Sequence, residues 1–311
     1  MFGKFKGLAI LSSVILLSTF VNAQQCGSQN PNGQCSDNEC CSQYGYCGTT
    51  DDYCGTGCQS DFGTCTAGGV ITDGNTSGST AEVQMVTATV YNRCTVSNSF
   101  ALTFDDGPVG ETNTLLDTLK SKGQKATFFV NGRNYACIYD NASIIQRIVN
   151  EGHQLAHHTW SHPSLTELSD DDIRSQITLL ETALRKIVGV VPKYLRPPYG
   201  NYDSRVLNIL GSLGYEYIIT WDIDSNDSLG YTAAQSEQVY RDAISNSPSP
   251  NPHIALNHDT RPDTVNIVGP FAIDFVTQSG YNLQTVGECL GNGNDWYKER
   301  VAPSARDSTW T

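Results

Sequence analysis

From about residue 89 the chain alternates short apolar runs with longer stretches whose apolar positions recur at spacings of three and four. The runs Ser99–Phe104, Ala126–Val130, Gln154–Ala156, Lys193–Leu195, Glu216–Thr220, His253–Leu256 and Asn282–Val286 are predicted strands. The clearest helix is predicted from Ser169 to Val188. Ser169 caps it, three aspartates (170–172) fill its first turn, and Ile173, Ile177, Leu180, Leu184 and Ile187 form one apolar stripe. Gly189 ends it. Strand–helix alternation over roughly two hundred residues predicts a parallel sheet, because each crossover returns the chain to the same end. About seven repeats predict a distorted (β/α)7-8 barrel, closed or nearly closed, with an open doubly wound sheet as the alternative. No glycine-rich dinucleotide fingerprint follows the first strand, which disfavours that alternative.

Before residue 89 the pattern differs. Lys4 and Lys6 precede an apolar run from Leu8 to Phe20, followed by Val21-Asn22-Ala23. This order predicts a signal peptide, residues 1–23, cut after Ala23, and the run is short for a membrane span. Eight of the eleven cysteines then fall between Cys26 and Cys65. A segment this small has little core, so such density predicts a disulfide scaffold over residues 24–66, whose pairing the sequence leaves open. It also carries Ser42, Tyr44, Tyr46 and Tyr53, too many tyrosines to bury and well suited to stacking on sugar rings. Residues 67–88, rich in Gly, Ser and Thr, read as a flexible linker with a sequon at Asn75. The main domain is expected over 89–290 and a polar tail over 291–311. Net charge of −13 leaves no basic stripe to neutralise phosphates, so nucleic acid is excluded as a partner. The expected product is a secreted monomer, extracellular or associated with a cell wall, with no membrane partner.

The chemistry collects at predicted strand ends. Asp105 and Asp106 close the first strand and a Gly-Pro turn follows. Alternation along a strand keeps neighbouring side chains off the same face, and two close carboxylates raise each other's pKa unless a cation lies between them. The alternative is a plain turn, since Asp, Gly and Pro all favour one. All six histidines lie in two short stretches, 153–162 and 253–258. His158 and His162 are four apart, which on a helical turn places both rings on one face. With one aspartate they suit zinc, or cobalt as an alternative, leaving open positions for water. Arg196-Pro-Pro-Tyr-Gly200 and the acids Asp222, Asp224 and Asp227 end two further strands, and Arg196 is a plausible partner for one of those acids. In a barrel all these ends meet at one mouth.

Residues 24–66 resemble a hevein-type chitin-binding module, in the adjacent cysteines 40 and 41, the Ser-Gln-Tyr-Gly-Tyr-Cys-Gly run and Asp52-Tyr-Cys54. The resemblance implies pairs Cys26–Cys41, Cys35–Cys47, Cys40–Cys54 and Cys58–Cys65, and sugar contacts at Ser42, Tyr44, Tyr46 and Tyr53. Two of these are often Trp in that family, so the stacking area here is smaller. Residues 89–290 resemble the polysaccharide deacetylase family, which includes chitin deacetylases. Five motifs match in order: Thr103-Phe-Asp-Asp-Gly, His158-Thr-Trp-Ser-His162, Arg196-Pro-Pro-Tyr-Gly200, Asp224-Ser-Asn-Asp227 and Ile254-Ala-Leu-Asn-His258. The resemblance implies Asp105 as general base and Asp106, His158 and His162 as ligands of one divalent metal. It further implies the backbone N–H of Tyr199 as an oxyanion donor and His258 as general acid. Asp227 would pair with Arg196, Arg196 would orient Asp105, and Asp259 or another acid would tune His258. Ser228 stands where the family often has Trp. Cys94 and Cys289 flank the region and are expected to pair, leaving Cys137 free. Sequons also occur at Asn141 and, inside the fourth motif, at Asn226, where a glycan would crowd the cleft.

The reading that follows is a secreted metal-dependent chitin N-deacetylase that makes chitosan and acetate. The alternatives are a deacetylase of acetylxylan or peptidoglycan, or a non-catalytic chitin-binding wall protein.

Overall fold

A computed structural model of the chain describes residues 26–27, 33–36, 39–42, 47–48, 54, 58–65, 88–246 and 251–310. The predicted signal peptide, the linker up to residue 87, and Tyr44, Tyr46 and Tyr53 lie outside the described residues. The chain divides into two compact units, Met1–Ala81 and Glu82–Thr311.

In the first unit, β1 (Cys40–Cys41) and β2 (Cys47–Gly48) pair antiparallel. Disulfides join Cys26 to Cys41, Cys35 to Cys47, Cys40 to Cys54 and Cys58 to Cys65. Cys26, Cys40 and Cys41 are buried, so sulfur occupies the place a hydrophobic core would take. Ser42, next after β1, is buried as well.

The second unit is a parallel sheet wrapped by helices. Its strands are β3 (Thr89–Tyr91), β4 (Ser99–Asp105), β5 (Thr127–Val130), β6 (Gln154–His157), β8 (Tyr194–Leu195), β9 (Tyr217–Ile219), β10 (Ile223–Asp224) and β11 (His253–His258), in the spatial order β10-β11-β4-β5-β6-β8-β9-β3. Every neighbouring pair in this order is parallel. β12 (Asn282–Leu283) pairs with β4 at Ser99 and Phe100, the stretch before β5 begins pairing at Thr103. Among the described residues β10 and β3 do not pair, so the sheet is a distorted, partly open barrel of the (β/α)7-8 kind. All seven residues of β4 are buried, as expected of a central parallel strand covered on both faces.

The helices are α1 (Thr112–Ser121), α2 (Ala142–Asn150), α3 (Asp170–Val188), α4 (Ser204–Ser212), α5 (Ala233–Asn246), α6 (Gly269–Gln278) and the short α7 (Val286–Cys289). In α3 the Ser169 side chain accepts from the Asp172 N–H, and Gly189 adopts the left-handed conformation that ends it. The stripe from Ile173 to Ile187 is buried. β3, β10, β7 (Val190–Pro192) and β13 (Tyr297–Arg300) were not anticipated; strands of two to four residues are too short to establish a period.

The segment after residue 290 corrects the expectation of a tail. β13 pairs antiparallel with β7, and Trp296, Tyr297 and Trp310 are buried. The Trp310 ring lies 5.8 Å from that of Tyr139. These anchors are scattered through charged sequence, so no periodic signal marks them.

Cys94, just beyond β3, is joined to Cys289 in α7, and both are buried. Cys137 is free and half-buried. Thiol titration of the unreduced, denatured protein is therefore expected to find one reactive thiol per chain. Three would show that one of these five bonds is absent.

Candidate active site

The C-terminal ends of the parallel strands supply the polar groups. Asp105 is the last residue of β4 and Asp106 follows with φ of 77°, which turns the chain into the Gly107-Pro108 bend. Both carboxylates are buried. Asp105 Oδ1 accepts from Arg196 Nη1 at 2.7 Å. Arg196, just past β8, has no exposed surface. It also donates to Thr103 Oγ1 (2.6 Å) and to the carbonyls of Ile219 (3.3 Å) and Thr220 (3.1 Å), and its guanidinium lies 4.1 Å from the centre of the Phe129 ring. A guanidinium held from so many directions fixes the carboxylate it binds. Burial raises the Asp105 pKa above the ordinary carboxylate value, while Arg196, His258 and His162 oppose that rise. The result is a more basic carboxylate in a set position.

His158 follows β6, and its Nδ1 lies 2.7 Å from the Arg196 carbonyl. A carbonyl can only accept, so Nδ1 carries the proton and Nε2 keeps a lone pair. That Nε2 is 3.7 Å from Asp106 Oδ1 and from Asp105 Oδ2. Burial pushes the His158 pKa down to about 3, so the ring is neutral. His162 Nε2 is 3.4 Å from the same Asp106 oxygen. One ligand atom from each of Asp106, His158 and His162 falls within 4.8 Å of the others.

This donor set fits a divalent cation. On His158 a bare imidazole nitrogen faces two carboxylates, acceptor against acceptor, in a buried site. Such an arrangement lacks a hydrogen to share and is stabilised by a metal ion. Two nitrogens and one oxygen match zinc, and cobalt takes the same donors.

The rings do not converge by the expected route. Residues 158–163 are not helical; Thr159 and His162 both have positive φ, at 70° and 61°. Thr159 Oγ1 accepts from the His162 N–H, and the Asn131 amide donates to the carbonyls of His158 and Thr159. The loop folds on itself, which brings together residues four apart without a helical turn.

His258 is the last residue of β11, in register beside Asp105 on β4. Its Nδ1 lies 2.7 Å from Asp227 Oδ1, and its backbone N–H donates to Asp227 Oδ2 at 2.8 Å. Thr264 Oγ1 donates to that same oxygen at 2.6 Å. Asp227 therefore pairs with His258 and not, as the family resemblance implied, with Arg196. The topology gives the reason: Asp227 follows β10, whose neighbour is β11, whereas Arg196 follows β8 on the far side of β4. Burial alone would lower the His258 pKa, but the hydrogen bond and charge of Asp227, aided by Asp105 and Asp106, raise it to about 9.

The role expected of Asp259 shifts too. Its carboxylate accepts from Thr112 Oγ1 at 2.6 Å and presses on Gly107, where an added Cβ would sit 2.4 Å from Oδ2. It braces the turn after Asp106 instead of bonding His258. Burial, with Asp106 and Asp105 nearby, pushes its pKa up to about 7. Asp222 is bonded to His253 (2.6 Å) and Arg93 (3.0 Å), and Asp224 accepts from the Asn226 N–H. His153, His157 and His253 are buried among packed side chains away from the cleft.

Tyr199 lies on the turn Pro198–Gly200 with φ of 60°, its ring exposed and 4.7 Å from the His162 ring. The cleft enclosed by these groups measures about 500 Å³. Sequence reasoning assigned no role to several of its walls: Asn134, which donates to Asp106 Oδ1 at 3.2 Å, and Tyr135, Trp221, Leu229, Leu256 and Arg261. Trp221 follows a predicted strand, a position that could have marked it. Asn134, Tyr135 and Arg261 stand in loops without period.

Carboxylates and imidazoles gathered in a cleft at the carboxyl end of a barrel sheet occupy the place where enzymes of this architecture carry their active sites. Residues 92–218 match the family described as polysaccharide deacetylase, and residues 25–65 the one described as chitin recognition protein. The chain is 42% identical over 217 residues to a chitin deacetylase of Pestalotiopsis sp, covering 68% of this chain and 70% of the relative. It is 39% identical over 224 residues to a chitin deacetylase of Colletotrichum lindemuthianum, covering 70% and 90%. The solved structure of the chitin deacetylase from that fungal pathogen superposes with a TM-score of 0.66 at 39% identity, covering 68% of this chain and 96% of that one. The protein belongs to the polysaccharide deacetylase family and carries an N-terminal chitin-recognition domain.

Proposed function

We propose that the protein is a secreted, metal-dependent chitin N-deacetylase, hydrolysing the acetamide of N-acetylglucosamine units to acetate and a free amine. One observation carries this reading. Asp105 bound to Arg196 and His258 bound to Asp227, at the ends of adjacent strands, line one cleft together with the Asp106, His158 and His162 cluster.

The chemistry follows from the groups. Amide hydrolysis forms a C–O bond, breaks a C–N bond and moves one proton from water to the leaving nitrogen. Asp105, held by Arg196 and made more basic by burial, accepts the proton of the attacking water. His258, kept protonated by Asp227, delivers a proton to the amine, a poor leaving group until it receives one. The Tyr199 N–H is assigned to the oxygen that gains negative charge. A divalent ion held by Asp106, His158 and His162, zinc first among candidates, supplies Lewis acidity to water and carbonyl. Ser42, Tyr44, Tyr46 and Tyr53 of the N-terminal domain are assigned to chitin binding, and residues 1–23 to export. Among the described residues no helix is long and apolar enough to cross a membrane.

The test is acetate release from chitin oligomers, acetylxylan and peptidoglycan, each with and without a chelator. Chitin oligomers are expected to release acetate, the chelator to stop it and added zinc or cobalt to restore it. Release from xylan with none from chitin would overturn the substrate; activity untouched by exhaustive chelation would overturn the metal.

A further inference from the structure

One cation in the cleft has no assigned task. Arg261 lies three residues beyond His258 and forms no ion pair among the described residues, and its buried Nε has no hydrogen-bond partner. Among the described residues it is the one Lys or Arg lining the 500 Å³ cleft. It also lines an adjoining cavity of about 280 Å³, and the two share no other residue. The side chain therefore stands at the junction where a chain held in the cleft would pass into the next site.

Among the described residues Arg261 is the one Lys or Arg on either wall, set among several acids. Asp227 is taken up by His258 and Thr264, and Asp224 accepts from the Asn226 N–H. Asp263 is the remaining acid of the adjoining cavity and is exposed. A guanidinium stays charged at any working pH and offers donors without acceptors. An acetamide carbonyl on the neighbouring sugar would accept from the guanidinium where it lines the cleft. A free ammonium against the guanidinium would meet a like charge and, on Arg261 itself, no acceptor.

Resting on the reading of the substrate as chitin, we propose that Arg261 makes the enzyme select targets whose neighbour on that side is still N-acetylated and reject those already bearing a free amine. Deacetylation next to a finished unit is thereby disfavoured. The expected discrimination is about tenfold, the size of one like-charge contact near 6 Å at a partly screened site.

The experiment measures kcat/KM for full-length protein on fully acetylated chitotetraose and on tetramers with one free amine on either side of the target. Each ratio is taken at about pH 6 and about pH 9, below and above the titration of an amine beside electron-withdrawing groups, about 7.7 for an α-amino group. Taking ratios at each pH cancels the enzyme's own pH dependence. The wild type is expected to disfavour the amine-bearing tetramer on one side about tenfold at the lower pH, through KM, and hardly at all at the higher. Arg261→Lys should keep the discrimination and Arg261→Gln should lose or reverse it, since acids then dominate the wall. A wild type indifferent to, or preferring, the neighbouring amine on both sides would overturn the proposal without any variant. So would a folded Arg261→Gln that still discriminates. Failure of wild type on the fully acetylated tetramer would instead overturn the chitin reading itself.

Discussion

Replacing Asp105 by asparagine is expected to lower acetate release from chitin oligomers about 10³-fold, within the range a positioned general base supplies, while metal content after dialysis stays at the wild-type level. The substitution preserves shape, and the amide oxygen can still accept from Arg196 Nη1, which lies 2.7 Å from the carboxylate oxygen. What disappears is the negative charge that accepts a proton and that compensates a guanidinium with no exposed surface. Breaking a buried ion pair costs about 3–5 kcal/mol when nothing replaces the partner. The retained hydrogen bond argues for the lower end, so a fall in melting temperature should accompany the loss of turnover. The two effects separate by assaying well below the variant's own midpoint. Metal retention distinguishes the two aspartates: Asp106 Oδ1 faces both His158 and His162, whereas Asp105 commits Oδ1 to Arg196 and approaches only His158, through Oδ2. Turnover above a tenth of wild type would remove Asp105 as the base. Loss of metal together with activity would make it a ligand.

The difference between those aspartates could be read from the sequence only in part. Alternation puts the neighbours on different faces, and the strand-end clusters place them at one mouth, but neither step says which faces the arginine. The barrel was legible because β4, β5, β6 and β11 each hold a short apolar run and α3 carries its cap, stripe and terminal glycine in order. Its incompleteness was not, since closure depends on whether β10 and β3 meet, a matter of twist and packing rather than of period. The partner of Asp227 was misplaced for a related reason. Sequence order puts Arg196 and Asp227 in consecutive motifs, yet in space β11 and β4 lie between β10 and the strands leading to Arg196. The His158 loop is a third case. Spacing of four was right about convergence and wrong about its cause, because left-handed Thr159 and His162 reproduce a helical juxtaposition in irregular backbone.

Asp227→Asn should move the alkaline limb of kcat/KM toward lower pH and reduce activity at pH 8 by about 10²-fold, with a much smaller loss near pH 6. The shift comes through His258, whose ring must be protonated to act as the acid. Burial works against that charge, and the Asp227 carboxylate outweighs it to raise the pKa to about 9. Without the carboxylate charge, burial prevails and the imidazole falls toward or below its ordinary value near 6.5. Stability carries the same signature with a fixed sign. The raised His258 pKa contributes stability that is fully present below about 6.5, the unfolded value, and lost as pH rises through about 9. The Asp227 pKa is lowered: burial alone would raise it, but bonds from His258 and Thr264 prevail. Its contribution is present above about 3.9, the unfolded value, and lost as pH falls through the folded one. The variant should therefore melt furthest below wild type between roughly pH 4 and 6.5 and approach it above pH 9. A purely structural Asp227 would lower the melting temperature yet leave the alkaline limb in place. An unmoved limb, read by pH–rate profiles of both proteins on one oligomer, would detach Asp227 from the acid and leave His258 charged by some other means.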